Sequence, residues 1–574
     1  MRSWCKKHHK TRFILLTWYI PYVIVVSTLP ANMPRAHQGP DGDPSLRPGA
    51  LLQHRLMQTG TPIPPSILAK YQFAEAGGKA AEQLFIEHPD MDFGTVIRAY
   101  RRARGLERRR VRENAVRALL NLPESAIKCA GGYPPDEAQP SRKELAELDA
   151  IIDRTFAPPG KVKRGIPYGG IERLSQYGPT TGFEPLKQVL ERRLSAKGVV
   201  VKDKGEVLIG NGSQEILYGV AKALLSQNLP DGHSILLGGL VAVESPTYIG
   251  ALDAFDTNGA EYVHIPKDEN GIVKPDDLDA LLTFTDQQAQ MLGEDFRIKM
   301  VYLGPTFQNP TGVTIPEETR RKLADVMGKH PNTVLVEDNP YGEIRWNGAP
   351  LEESIQSMMR KQGHDNAVYI STFSKTFSPG AARVGYGVFP DGFPVPQGES
   401  PEPLGTLANA YIHEKQSIDL FTSTLNQARC WAYLSGGVYD TEAQAWSYSD
   451  GKYDKQLPEK IRIYHEKSDA LFDAFTQEPL PQGIRINKPM GGMFFYVELP
   501  DGMDAGEVQR ELIKVDKEAY PDDEAVAVVP VTAFYGDQWK AKNNGLRICY
   551  TTESLDRLRF AGRKLNRVIN QLAA

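Results

Sequence analysis

From Lys128 onward, short apolar runs broken by Gly, Pro and hydroxyl-rich turns alternate with stretches of helical periodicity. That alternation predicts an α/β domain on a largely parallel sheet. Glu206–Ile209 reads as a strand entering the turn Gly210-Asn211-Gly212. Ile216, Leu217, Val220, Ala221, Leu224 and Leu225 then recur at helical spacing, which predicts a helix over Ser213–Leu225 with one apolar face. Met300–Leu303, Thr333–Glu337 and Val368–Ile370 read as further buried strands. The C-terminal third changes character. Lys460–Phe475 is patterned as an amphipathic helix, Gly491–Glu498 and Gly545–Tyr550 as strands, and Ser447–Pro458 as a polar surface insertion.

Upstream of Lys128 the pattern differs. Residues 1–40 hold no Asp or Glu, and a basic start (Arg2, Lys6, Lys7, Lys10, Arg12) runs into the apolar Phe13–Leu29, interrupted by Pro21. This is the layout of a signal peptide or signal anchor, although a spanning helix usually needs about 20 apolar residues. A membrane anchor, a cleaved targeting segment and a start upstream of the true one, with Met33 and Met57 as alternatives, all stand as readings. Residues 31–66 are rich in Pro and Gly and read as a flexible linker. Residues 67–120 read as helical, and the basic patch over 101–110 as an exposed helical face rather than a nucleic-acid site. The expected division is 1–66 targeting-like segment and linker, 67–125 helical region, 126–400 arm and large α/β domain, and 401–574 small α+β domain.

Composition narrows the function. A net charge of −4 over 574 residues gives no general attraction to polyanions, so small ligands are expected and nucleic acid is not. Four dispersed cysteines without a C-x-x-C pair suggest neither a disulfide framework nor a zinc site, and point to a reducing compartment. No metal is expected, and a cytoplasmic location is, with membrane contact through residues 13–29 as the alternative.

The candidate chemistry centres on Lys375, delivered by the turn Ser371-Thr372-Phe373-Ser374. Arg383 follows eight residues on, after the bend Pro379-Gly380, so two cations and several hydroxyls could meet one anionic group. Gly212-Ser213-Gln214 sits at a helix start, where backbone N–H groups favour a phosphate, although a plain Ser cap reads equally well there. Asp338 closes an apolar strand and is on its own an ordinary turn residue.

Ten blocks in order resemble the pyridoxal-phosphate-dependent class I/II aminotransferases, above all the 2-aminoadipate, kynurenine and aromatic amino-acid branch. They are AGGYP at Ala130, YGPTTGFEPL at Tyr177, NGSQE at Asn211, ESPTYIGAL at Glu244, PTFQNPTG at Pro305, EDNPYGE at Glu337, STFSK at Ser371, TSTLNQ at Thr422, GGMFF at Gly491 and LRICYTTES at Leu546. The resemblance covers residues 126 to 570. It implies an aspartate-aminotransferase-like fold, a large domain with a mostly parallel sheet plus a smaller α+β domain, and a homodimer with shared active sites.

It also implies roles. Lys375 would attach pyridoxal 5'-phosphate covalently and shuttle a proton, and Asp338 would pair with the ring nitrogen. Tyr341 and Asn309 would hydrogen-bond the phenolic oxygen, and Tyr248 would stack on the ring. Ser213, Gln214, Thr372, Ser374 and Arg383 would hold the phosphate, joined by Tyr177 from a second subunit. Arg547 would grip the substrate α-carboxylate, with Asn309 beside it and the backbone at Gly131-Gly132 covering it. The implied reaction moves an amino group from an aromatic, 2-aminoadipate-like or long apolar amino acid to a 2-oxo acid such as 2-oxoglutarate. Where aspartate aminotransferases carry an arginine, four positions before the serine matching Ser423, this chain has Asp419. A dicarboxylate is therefore not expected to be read in their way. The rivals are a lyase or decarboxylase on the same fold, and a cofactor-sensing transcription regulator.

Overall fold

The computed structural model describes residues 122–573 apart from 124, 157–173, 229–233, 237, 293–296, 377–381, 391, 394–404 and 537–541, together with Gly105, Arg108, Arg109 and Arg112. The apolar stretch Phe13–Leu29, the linker over 31–66 and the bend at Pro379-Gly380 lie outside these residues. Among the described residues no helix is long and apolar enough to cross a membrane.

The larger sheet has seven strands: β1 (Val207–Gly210), β2 (Gly239–Val243), β3 (Ala260–His264), β4 (Ile298–Leu303), β5 (Val334–Asp338), β6 (Ala367–Thr372) and β7 (Gly385–Val388), in the order β1-β7-β6-β5-β4-β2-β3. Pairing from β3 through β6 is parallel, and β7 runs antiparallel to both β1 and β6. β5 and β6 are buried at every position, as strands covered on both faces must be. Their apolar runs made them legible, each within a residue or two of its expected bounds.

Helix α1 (Ser213–Leu225) has the predicted bounds and packs its apolar face on this sheet, with α2 (Ile249–Thr257) beside it. α3 (Leu407–Ile418) and α4 (Thr424–Ser435) also pack here: Tyr411 stacks on Phe389 at 4.8 Å, and Trp431 lies in one core with Phe183 and Tyr386. A division drawn by packing therefore falls after α4 rather than at residue 400. The smaller unit opens with α5 (Tyr453–Thr476). Its four-stranded sheet contains β8 (Arg485–Asn487), β9 (Phe494–Glu498), β10 (Val529–Pro530) and β11 (Gly545–Cys549), in the order β8-β9-β11-β10. Ile127 and Cys129 share its core, so both ends of the described chain build it.

Two expectations are corrected. Ser447–Pro458 is not a polar surface insertion: Trp446, Ser447 and Tyr453 are buried, and α5 begins at Tyr453 and runs through Pro458. Trp446 packs edge-on to Trp431 at 4.9 Å and Tyr439 at 5.0 Å, an aromatic anchor that the surrounding Ser, Asp and Gly residues mask in the sequence. The second correction concerns the basic patch. Of the patch over 101–110 the described residues are Gly105, Arg108 and Arg109; Arg108 is helical and buried rather than on an exposed face, and so is Arg112 just beyond the patch. Arg108 Nε donates to Asp256 Oδ1 at 2.9 Å and its Nη2 to the Ala260 carbonyl at 2.7 Å. Arg112 Nε donates to Asp253 Oδ1 at 3.0 Å, and its Nη2 pairs with Asp256 as well. The side chains of Asp256 and Glu261 have no exposure. Segments far upstream thus supply the cations that α2 and β3 need.

A buried carboxylate left without its cation costs about 3–5 kcal/mol. The double variant Arg108→Met/Arg112→Met is therefore expected to unfold at a clearly lower denaturant midpoint, and adding Asp256→Asn should recover part of the loss. An unchanged midpoint would count against the clamp.

Candidate active site

Because β1, β2, β4, β5 and β6 run parallel, their carboxyl ends share one edge, the edge at which open sheets of this kind bind ligands. Each delivers a side chain there: Ser213 after β1, Tyr248 after β2, Asn309 after β4, Asp338 at the end of β5 and Lys375 just past β6. Antiparallel β7 starts where the others end, which returns Arg383 to the same edge, two residues before Gly385. Ser213, Tyr248, Asn309, Asp338, Tyr341 and Lys375 line one cleft.

The two ends of this cleft differ in chemistry. At one, Gly385 pairs with Gly210 and Thr372, and a Cβ placed on it would meet the Gly212 carbonyl carbon and Ser213 nitrogen at 2.5 Å. Gly212 has φ +75°, and a Cβ there would lie 2.4 Å from Arg383 Nη2. Only glycine leaves both backbones this close to each other and to a guanidinium. Arg383 Nη2 donates to the Asn211 carbonyl at 3.1 Å. Thr372 Oγ1 accepts the Ser374 N–H at 3.1 Å and lies 2.9 Å from Ser374 Oγ. Gln214 Nε2 donates to Gly250 O at 2.5 Å. Open N–H groups at the start of α1, hydroxyls and an arginine make an anion cradle.

At the other end stand an acid and an amine. Asp338 is 3% exposed, and burial pushes its carboxyl up to about 6 against the opposing pull of Tyr302 and Lys375. Tyr302 OH donates to Asp338 Oδ2 at 2.8 Å, while Oδ1 is buried with no hydrogen-bond partner among the described residues. Burial likewise lowers the Lys375 amine to about 8, with Arg547 and Arg383 reinforcing and Cys549 and Asp338 opposing. Lys375 Nζ donates to the Gly132 carbonyl at 2.8 Å, and Tyr464 OH donates to the Lys375 carbonyl at 2.7 Å. Tyr302 and Tyr464 were not singled out from the sequence. Tyr302 could have been, as the one hydroxyl in an apolar strand beside the strand that ends in Asp338.

Tyr341 is buried and hydrogen-bonded to Asn309, and burial holds its hydroxyl firmly protonated. Asn309 Oδ1 accepts Arg547 Nη1 at 3.1 Å. Arg547 lies between the rings of Phe494 and Phe534 at 4.5 and 4.8 Å, donates from Nη2 to the Ala130 carbonyl, and keeps a buried Nε with no hydrogen-bond partner among the described residues. It lines a second cavity of about 740 Å³ with Gly131, Gly132, Tyr133, Ile249 and Phe534, and Tyr248 borders both spaces. Two positions singled out in the sequence stand apart from the cleft. Tyr177 is 82% exposed, its ring 5.6 Å from that of Phe421. Asp419 is withdrawn into an ion pair with Lys415 at 3.0 Å.

Comparisons with known proteins show the family. Residues 153–560 match the family model described as aminotransferase class I and II. The chain is 31% identical to the 2-aminoadipate transaminase of Thermus thermophilus, over 81% of this chain and 96% of that protein. It is 28% identical to aromatic-amino-acid aminotransferase 1 of Thermococcus litoralis, over 80% and 92%. The crystal structure of Pyrococcus horikoshii kynurenine aminotransferase superimposes with a TM-score of 0.62 at 29% identity, covering 80% of this chain and 94% of that one.

With its amine near 8, Lys375 should be substantially neutral at mildly alkaline pH, where an ordinary lysine is protonated. Modification of the cofactor-free protein by an aromatic aldehyde and borohydride should therefore rise with a midpoint near pH 8, as Lys375 loses its proton. Lys375→Arg should lack this phase, and a midpoint near that of free lysine would contradict the assignment.

Proposed function

The chain belongs to the class I and II aminotransferases, and we propose that it moves the amino group of an aromatic, 2-aminoadipate-like or long apolar amino acid to a 2-oxo acid such as 2-oxoglutarate. The observation that carries this is the buried pair Asp338 and Lys375, facing one cleft beside a glycine-built anion cradle. The residues present fit pyridoxal 5'-phosphate, the cofactor of this family: Asp338 Oδ1 is a buried acceptor without a donor, and the Gly212–Gly385 contact leaves space only where no Cβ intrudes.

When bound, this cofactor supplies an aldehyde that links to amines and a cationic ring that accepts the electron pair released at the substrate Cα. Asp338, oriented by Tyr302, holds a proton on the ring nitrogen, and that cation offsets the cost of the carboxylate's burial. Tyr341 and Asn309 would hydrogen-bond the phenolic oxygen, and Tyr248 would cover a ring face. Ser213, Gln214, Thr372, Ser374 and Arg383 hold the phosphate. Lys375 would hold the cofactor covalently and, with its amine free, would take a proton from the substrate Cα; its lowered basicity would let it both accept and release that proton. Arg547 binds the α-carboxylate, with Asn309 fixing one end of the guanidinium and Nε left to donate. The Gly131-Gly132 backbone lies over the same carboxylate. Two half-reactions follow in ping-pong order.

The exposed Tyr177 beside Phe421 supports a homodimer in which this tyrosine reaches the partner's phosphate site. Cys129, Cys430 and Cys549 are free and buried, which fits the reducing, cytoplasmic setting proposed for the enzyme. Against the transcription-regulator rival, Arg108 and Arg112 are committed to buried carboxylates and are not presented to DNA.

Lys375→Ala should retain no borohydride-fixed cofactor and lose transamination almost entirely; a variant that still fixes the cofactor would sink the lysine's role. Arg547→Ala should lower kcat/KM for all donors by a similar factor, on the order of 2–4 kcal/mol for a charged bidentate contact. Donor turnover measured on a panel of amino acids tests the substrate class, and aspartate reacting faster than phenylalanine, leucine and 2-aminoadipate would overturn it.

A further inference from the structure

Lys415 on α3 has a side chain with no exposure, yet it touches neither substrate nor cofactor residues directly. Its amine pairs with Glu215 Oε2 at 3.2 Å and with Asp419 Oδ1 at 3.0 Å. Both carboxylates turn toward the same short stretch of backbone. Glu215 Oε2 accepts the Asn211 N–H at 3.1 Å and the Tyr411 hydroxyl at 2.9 Å, and Asp419 Oδ2 accepts the Asn211 side-chain amide. On its far side, the Asn211 carbonyl accepts Arg383 Nη2 at 3.1 Å. Asn211 is thus gripped at its N–H, its side chain and its carbonyl. The loop it opens, Asn211-Gly212-Ser213, is the anion cradle.

A buried lysine between two carboxylates is a weak source of stability, because desolvation offsets most of the attraction and an apolar cluster of the same volume does as well. What such a network does supply is a single geometry, since every member has a directional partner. Here the geometry concerns where the N–H groups at the start of α1 point and where the Arg383 guanidinium lies. Room for the network is kept by Gly210, where a Cβ would lie 2.5 Å from Glu215 Oε2 and 2.9 Å from Tyr411 OH. The placement of Asp419 at the end of α3, its N–H bonded to the Lys415 carbonyl at 3.0 Å, fixes the acid relative to the lysine.

We propose that Lys415, Glu215 and Asp419 are positioning residues that hold the Asn211-Gly212-Ser213 loop in its phosphate-binding form, so that Asp419 serves the cofactor's phosphate and not the selection of substrate. This rests on the loop being the phosphate cradle, as proposed above, and it predicts an effect confined to the phosphate end. A merely structural role would weaken every ligand of the site alike.

The test compares binding of pyridoxal 5'-phosphate and of pyridoxal, which lacks the phosphate, to full-length protein freed of cofactor. Asp419→Ala and Lys415→Met should each weaken the phosphate form by about tenfold or more, the scale of one charged hydrogen bond, while pyridoxal binding stays within about threefold of wild type. Asp419→Glu, which keeps the charge, should regain part of the loss. Should the Lys415 variant fail to fold, Asn211→Ala cuts the side-chain link to Asp419 and leaves the ion pairs and the backbone bond to Glu215 whole, and a selective loss of the phosphate form is again expected. Equal weakening of both ligands, or none, overturns the proposal. Wild-type protein that holds pyridoxal as tightly as its phosphate would instead overturn the cradle itself, and the positioning role with it.

Discussion

Desolvation of Asp338 and Lys375 in one cleft is the constraint around which the rest of this structure is arranged. Burial raises the acid to about 6 and lowers the amine to about 8, so each charge is held at a cost that the fold must meet elsewhere. The sheet meets it by rigidity. β5 and β6 are covered on both faces, so the residues at their ends have little freedom to swing toward water. Tyr302 on the neighbouring strand then fixes one oxygen of Asp338 and leaves the other to be satisfied by a ligand. An apolar replacement at Asp338 would relieve the desolvation and remove the reason for the site.

Much of this was legible in the sequence because parallel strands covered on both faces read as apolar runs, and the chemistry sits at their ends. Val368–Ile370 leading to Lys375, and the apolar run ending in Asp338, are cases in which pattern and site coincide. The Ser213–Leu225 helix was equally plain, since its apolar spacing is regular and glycine stands before it. Tyr302 escaped notice because a tyrosine inside a strand looks like core, and only pairing to β5 shows what its hydroxyl meets. Arg383 could be suspected from its spacing to Lys375. Its convergence needs the reversal of β7, which no local pattern announces.

Where sequence reasoning went astray, partners distant in the chain were the reason. Arg108 looked like surface because arginines in a charged stretch usually are; the acids that hold it and Arg112 lie about 140 to 150 residues on, in α2 and β3. Trp446 lay hidden among small polar residues and is buried by aromatic neighbours that include Phe156 and Trp431. In each case burial is decided by tertiary pairing, which a window of ten or fifteen residues does not contain.

Asp419 illustrates how far such pairing can change the meaning of a residue. Beside the substrate it would repel a second carboxylate and set the donor range by charge. Paired with Lys415 and bonded to Asn211, its carboxylate is engaged within the chain at the loop that precedes α1. The cavity next to Arg547 offers further walls against which a side chain could pack. There Tyr133, Ile249 and Phe534 offer apolar surface, while Arg112 and Lys128 stand with Asp253 and Glu553. Arg112 is committed to Asp253 and Asp256, and Glu553 accepts the Lys128 backbone N–H and pairs with Arg557, so Arg112, Asp253 and Glu553 are engaged already. Against the apolar wall, an extended apolar or aromatic side chain would bury the most surface.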